Sequence, residues 1–324
     1  MNNVNHINVE QKEVQIREYK EGVRMHFVIV GGGAVGLVLA NCLVKQSHNV
    51  ELLVHSKLQE EKIQNDGVNF QNHKGQTSNV TFKVSTNSDD LDTKAIWIIA
   101  VKYHHLNELR PLFEKLPENT ELLFIQNGIR HLELVKTLKQ HTIFLGSVEF
   151  GAEKINHNIV NHRGIGDLKI AQYKGRQSEI EKFASLNTDY FPVVLMEDYS
   201  KMMLRKAILN CIINTLTTIL RVKNGELITN SYSAKTLQQL YQEVIKAFPE
   251  QESQLSYQDV KGVCENTATN TSSMLADYLN GRIMEIDTII GGIIDLAQRR
   301  EYKLPMLSTC YSLLQAMQEG GGDN

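Results

Sequence analysis

The sequence predicts an α/β domain of alternating strands and helices, followed by an all-helical domain, with the change at about Glu197. Three observations predict it. Short apolar runs alternate with helical patterns through the first half. A glycine-rich turn joins the first of those runs to the first helical pattern. From residue 198 onward the apolar period is helical almost throughout. A length of 324 residues accommodates about two such domains.

The first strand is expected from Met25 to Val30, and Gly31-Gly32-Gly33-Ala34-Val35-Gly36 follows at once. A helix over Leu37 to Lys45 and a second strand over Val50 to Val54 come next. A G-x-G-x-x-G run between a strand and a helix predicts a Rossmann-type dinucleotide-binding domain, here over residues 25–196. Gly31 permits the turn, Gly33 lets the backbone approach a pyrophosphate, and Gly36 lets the helix pack on the strand. The helix N-terminus offers free N–H groups to the phosphates. The bland alternative is a tight turn with no ligand.

The second strand ends Val54-His55-Ser56-Lys57, with no carboxylate to hold a ribose 2′-hydroxyl. An imidazole, a hydroxyl and an ammonium suit a 2′-phosphate better, so NADP(H) is the expected cofactor. Otherwise Lys57 is a solvated loop residue.

Short strands are expected at Val68 to Phe70 and at Val80 to Val84. Ala95 to Val101 is a continuous apolar run, as for a strand covered on both faces. It ends at Lys102, on the sheet edge where ligands bind in open α/β folds. A helix over Leu106 to Leu116 precedes a buried strand, Leu122 to Ile125, that ends Gln126-Asn127-Gly128. Asn127 is either a turn former or a ligand-facing amide. Residues 142–172 alternate as antiparallel strands at one sheet edge would. A helix near 177–186 and a strand at 192–196 complete the domain.

The all-α domain is expected over residues 197–318, with helices at 198–220, 231–247, 256–268, 272–280, 283–300 and 306–318. Pro305 suits a helix start. Gly281 and Gly291-Gly292 allow close packing or a bend. A cleft between the two domains follows from this arrangement. The first helix lies at the junction and carries a single polar stripe: Lys206, Asn210 and Asn214, at i, i+4 and i+8. Burying these groups unpaired is costly. They either bond a neighbouring helix, with Lys206 reaching water, or line a wet cleft.

Composition narrows the class. The chain is 42% hydrophobic and 22% charged, which supports a sizeable core. A net charge of -3 gives no electrostatic reason to expect nucleic acid or an anionic membrane as a partner. Cys42, Cys211, Cys264 and Cys310 lie far apart, and read as reduced, buried residues of a cytosolic protein. No Cys/His cluster has ligand spacing, so no metal is expected. No apolar run reaches about 18 residues, so no membrane span is expected. Residues 1–24 lack the apolar core of a secretory signal and read as a disordered extension, with Met25 an alternative start. Residues 319–324, with their three glycines, read as a disordered tail.

The Gly31–Gly36 loop, Val101-Lys102, Gln126-Asn127-Gly128, Lys206-x-x-x-Asn210-x-x-x-Asn214, Asn224-Gly225-Glu226-Leu227, Asn270-x-Ser272-Ser273-Met274 and Glu285-Ile286-Asp287 fall in one order. Over residues 25–318 this ordered set resembles the ketopantoate reductase (2-dehydropantoate 2-reductase) family. The resemblance implies a Rossmann domain with an all-α domain of the 6-phosphogluconate-dehydrogenase type. It implies NADPH-dependent reduction of 2-dehydropantoate to (R)-pantoate, on the route to pantothenate and coenzyme A. It also implies roles. Lys206 matches the catalytic lysine and Glu285 the active-site glutamate. Asn127, Asn210, Asn214, Ser273 and Asn270 match substrate-side positions. Cofactor contacts are implied at Gly31, Gly32, Gly33, Ala34, Val35, Gly36, His55, Ser56, Lys57, Lys102, Asn127 and Glu285. Some relatives are dimers, so a homodimer is open.

The chain departs from the family at three places: Leu204 where a tryptophan is common, Thr215 where a proline is common, and His55 where many members have an arginine. Three readings therefore stand: ketopantoate reduction, the same chemistry on another small 2-keto acid, and a catalytically idle NADPH-binding sensor. The last predicts loss of the Lys/Glu pair, and both residues are present.

Overall fold

The computed structural model describes residues 24–320. The expected extension lies outside the described residues except for Arg24, and the expected tail lies outside them from residue 321. The strands of the first half are β1 (His26–Val30), β2 (Asn49–Leu53), β3 (Val68–Gln71), β4 (Thr77–Val80), β5 (Lys83–Ser85), β6 (Ile96–Ile99) and β7 (Glu121–Phe124). They continue as β8 (Ile143–Val148), β9 (Gly151–Lys154), β10 (Ile159–Gly164), β11 (Leu168–Lys174) and β12 (Val193–Met196). Eight of them form one sheet in the order β12-β11-β8-β7-β6-β1-β2-β5. All neighbours in it are parallel except β8 and β11.

The continuous apolar strands are explained by cover on both faces. Val28, Val30, Trp97, Ile99, Leu122 and Phe124 pack to one side. Phe27, Ile29, Ile96, Ile98 and Leu123 alternate with them and pack to the other, with the helix α1 (Ala34–Lys45). The first side shares its core with Ile208, Cys211 and Ile212 of the helical domain, so the two domains are joined by one apolar cluster.

The expected antiparallel edge over residues 142–172 holds in part: β8 and β11 pair antiparallel beside the edge strand β12, but the rest is corrected. Strand β8 lies inside the main sheet, parallel to β7. The β9–β10 hairpin leaves that sheet and joins β3 and β4 in a separate four-stranded sheet, order β4-β3-β10-β9. The strand expected from Val80 to Val84 is likewise two strands. One pairs with β3 and the other with β2, so the chain steps from one sheet to the other between them.

The helices α2 (Lys57–Asp66), α3 (Arg110–Lys115) and α4 (His131–Val135) complete the first domain with a 3-10 helix over Gln177–Leu186. Helix α3 is shorter than expected because 3-10 turns at Tyr103–His105 and Asn107–Leu109 precede it, and Pro111 sits in its first turn. The second domain is α5 (Tyr199–Leu220), α6 (Glu226–Thr229), α7 (Ser231–Ala247), α8 (Tyr257–Asn266), α9 (Ser273–Leu279), α10 (Gly292–Arg299) and α11 (Pro305–Gly320). The last helix extends through Gly320, into the stretch expected to be tail. The helix expected over 283–300 begins only at Asp287, as a π turn (Asp287–Gly291) that runs into α10.

Helix α5 organises the domain junction. Asp198 caps it by accepting from the N–H groups of Ser200 and Lys201. It is long and apolar enough to cross a bilayer by composition, but 67% of that stretch is buried against this chain's own residues. It is a core helix.

Candidate active site

Gly31 has φ +115°, a conformation that side chains disfavour, and a Cβ at Gly36 would lie 2.1 Å from the Gly31 carbonyl oxygen. The loop therefore requires glycine at both positions. Gly33 is the N-cap of α1 and supplies no side-chain cap, so the first-turn N–H groups are left open. A Cβ on Gly33 would meet nothing within 4 Å. This bare helix start, with space before it, fits a pyrophosphate. Ala34 and Val35 form its first turn.

Gly32 is different, being buried beneath Gln59, whose Nε2 donates to its carbonyl at 2.8 Å. At the tip of β2, His55 is exposed. Ser56 caps α2 by accepting from the Gln59 N–H at 3.3 Å. Lys57 is not a free cation: its ammonium bonds Glu60 at 2.7 Å.

The polar stripe on α5 faces the other domain. The Lys206 ammonium donates to the Val148 carbonyl at the end of β8. Burial pushes its pKa down from 10.5 to about 8, opposed by Glu149 and Glu285 and reinforced by Lys169. One turn on is Asn210, and one turn further Asn214, whose Nδ2 donates to Ser273 Oγ at 3.3 Å. Ser272, not Ser273, caps α9, accepting from the Leu275 N–H at 3.3 Å. The Ser273 hydroxyl is thus free of capping duty. Asn270 is placed apart in an exposed loop, where its carbonyl accepts the Asn224 N–H at 3.1 Å.

The third wall comes from the ends of β6 and β7. Asn127 Nδ2 donates to Glu285 Oε2 at 3.2 Å. Burial pushes the Glu285 carboxyl up, held back in part by the Asn127 bond and the Lys102 charge. Gly128 has φ +74°, and a Cβ there would lie 2.2 Å from the Thr288 carbonyl oxygen. Thr288 Oγ1 in turn donates to the Asn127 carbonyl at 3.1 Å. The strand-end turn and the π turn are thereby clamped together, with Asn127 and Glu285 face to face. Gly291 and Gly292 serve the same closeness: a Cβ on either would come within 2.9 Å of Arg130 or Ile129.

Lys102 pairs with Asp277 Oδ2 at 2.7 Å across the domain boundary, and Arg282 Nε takes the other oxygen at 2.9 Å. Asp277 and Arg282 escaped the sequence reading, although Asp277 stands four residues after Ser273 on the same helix face. The Val148 carbonyl has no side-chain signal at all.

A glycine turn that ends on an open helix start, and at the domain junction a desolvated ammonium that feels the charge of Glu285, fit a dinucleotide-dependent oxidoreductase. The model of the family described as "Ketopantoate reductase PanE/ApbA" matches residues 27–175, and that of its C-terminal part matches residues 198–318. The 2-dehydropantoate 2-reductase of Listeria monocytogenes is 33% identical over 298 residues, 91% of this chain and 97% of that one. The solved structure of the probable 2-dehydropantoate 2-reductase panE from Bacillus subtilis is 29% identical, with a TM-score of 0.79 over 90% of this chain and 100% of that one. The ternary structure of D-mandelate dehydrogenase with NADH and anilino(oxo)acetate has the same fold at 22% identity, with a TM-score of 0.82 over 92% of this chain and 100% of that one. This chain belongs to the ketopantoate reductase family.

Proposed function

We propose that this protein reduces 2-dehydropantoate to (R)-pantoate with NADPH, and that Lys206 is the proton donor. The observation that carries the reading is the half-buried Lys206 ammonium at the domain junction, held on the Val148 carbonyl, with its pKa pushed down to about 8. Reducing a 2-keto acid places a hydride on the carbonyl carbon and a proton on its oxygen. A bound nicotinamide supplies the hydride. A lysine of lowered pKa stabilises the developing alkoxide and gives it the proton. Asn210, Asn214 and Ser273 offer neutral donors to the substrate's carboxylate and hydroxyl without adding charge to the cleft. Glu285, its carboxyl pushed up by burial, bonds Asn127 and accepts from or donates to the new hydroxyl.

The relatives' named activity supports ketopantoate as the keto acid. So does the placing of two departures from the family pattern: Leu204 is 6% and Thr215 0% exposed, so both bear on packing more than on substrate choice. The test is NADPH consumption by the purified protein against a panel of 2-keto acids. Ketopantoate is expected to give the highest kcat/KM. Turnover of another 2-keto acid with none of ketopantoate would overturn the substrate. Tight NADPH binding without turnover of any acid would overturn the enzyme reading.

A further inference from the structure

Lys154, the last residue of β9, belongs to none of the motifs that carry the family resemblance. Its Nζ donates to the Gly32 carbonyl at 3.1 Å. The same carbonyl accepts from Gln59 Nε2 at 2.8 Å, and that amide also reaches the His157 carbonyl at 2.7 Å. The glycine loop, the start of α2 and the β9–β10 hairpin therefore meet at one point. Gln59 stands in the first turn of α2, which leaves the tip of β2. The Gly32 carbonyl thus lies beside the start of α2, next to the tip of β2. In dinucleotide-binding folds of this kind the adenosine ribose lies by the tip of the second strand.

The charge at this corner is unbalanced in one place. Lys57 is paired with Glu60, which also accepts from Thr86 Oγ1 at 2.9 Å. Glu153, next to Lys154, is taken by Arg163 Nε at 2.6 Å. Among the described residues Lys154 has no ion-pair partner, and its charged end rests on a neutral carbonyl. The Lys154 side chain is exposed, and partial loss of water at its ammonium lowers its pKa, with no carboxylate acting against the shift. An ammonium held this way gains most from an anion, because a charge-assisted bond to phosphate is stronger than one to a carbonyl.

We propose that Lys154 is the cationic contact for the 2′-phosphate of NADP(H), and that this lysine sets the preference for the phosphorylated dinucleotide. Ser56, which keeps its hydroxyl proton while capping α2, and the exposed His55 are the neutral partners beside it. The proposal rests on the reading of NADPH as the cofactor.

The test uses binding of two fragments, with no turnover needed. Adenosine 2′,5′-bisphosphate carries the discriminating phosphate, and 5′-AMP lacks it. Each is titrated by calorimetry into the full-length protein and into Lys154→Met and Lys154→Arg, with thermal melts to verify folding. The wild type is expected to favour the bisphosphate. Lys154→Met should weaken the bisphosphate by roughly 10- to 100-fold, the scale of one lost charge-assisted bond, and leave AMP within about twofold. Lys154→Arg should retain most of the preference. Equal weakening of both fragments would assign Lys154 to the shared 5′-phosphate and overturn the proposal. An unchanged preference in Lys154→Met would also overturn it, with the NADPH reading left standing. Equal affinity of the wild type for both fragments would overturn the NADPH reading itself, and the proposal with it.

Discussion

The Lys206 ammonium is held by the main-chain carbonyl of Val148 and not by a carboxylate. A carbonyl replaces part of the lost hydration but brings no counter-charge, so the protonated form is disfavoured and the pKa falls from 10.5 to about 8. In the proposed reaction this group is the acid, so it would have to carry its proton when the keto acid binds. The kcat/KM for reduction should therefore be level below about pH 8 and fall as pH rises through that value. A pH–rate profile measures it. An alkaline limb at the ordinary lysine value would show that burial does not tune this group.

Removing the proposed donor tests its role directly. Lys206→Ala should lower kcat by roughly 10²–10⁴-fold, with circular dichroism and Tm close to wild type. Near-normal turnover would exclude Lys206 as the proton source.

Ser273 has a different expected signature. Its hydroxyl accepts from Asn214 and caps nothing, so Ser273→Ala should spare the fold. The KM for the keto acid should rise several-fold, on the order of one lost hydrogen bond, while NADPH affinity holds. A loss confined to cofactor affinity would place Ser273 on the wrong side of the cleft.

Two glycines should respond in opposite ways to the same substitution. Gly128→Ala forces φ +74° on a residue with a Cβ and drives it into the Thr288 carbonyl. The left-handed conformation alone costs about 1–2 kcal/mol, so Tm should drop by several degrees. Activity should drop with it, because Thr288 anchors the π turn beside Glu285. Gly33→Ala meets nothing within 4 Å and has φ -79°, so Tm should hold while dinucleotide affinity falls. Equal Tm values for the two variants would contradict the packing described.

His131 offers a stability prediction away from the site. It is 0% exposed, neither ring nitrogen has a hydrogen-bond partner among the described residues, and burial pushes its pKa from 6.5 down to about 4. The unfolded chain therefore binds a proton between those two values that the folded chain refuses. Stability from this group is full above pH 6.5 and is lost as pH falls toward 4. A fall from 6.5 to about 4 is worth about 3 kcal/mol at full effect. His131→Leu should flatten the acid side of the Tm-versus-pH curve. Parallel curves for wild type and variant would rule out a neutral buried ring.

Much of the site is legible in the chain because its signals are local. The glycine spacing of Gly31, Gly33 and Gly36 reports its own turn. The four-residue interval of Lys206, Asn210 and Asn214 reports its own helix face. The apolar run ending at Lys102 reports a strand covered on both sides. The Lys57–Glu60 pair, three residues apart on α2, is local in the same way, and helical spacing alone would place the two side by side. The excursion of β9 and β10 into a second sheet is hidden: strand period is the same in either sheet, and the choice of partner is made by distant chain.

By itself, then, the sequence determined the order of elements, the glycine turn and the residues of the polar stripe, since each depends on side chains a few positions apart. The tertiary structure decided what those residues face. The Val148 carbonyl is 58 residues from Lys206, Asp277 is 175 from Lys102, and Lys154 is 122 from Gly32. Contacts of that span are fixed by sheet order and domain packing. Those to main-chain carbonyls leave no mark on the side chains that a sequence records.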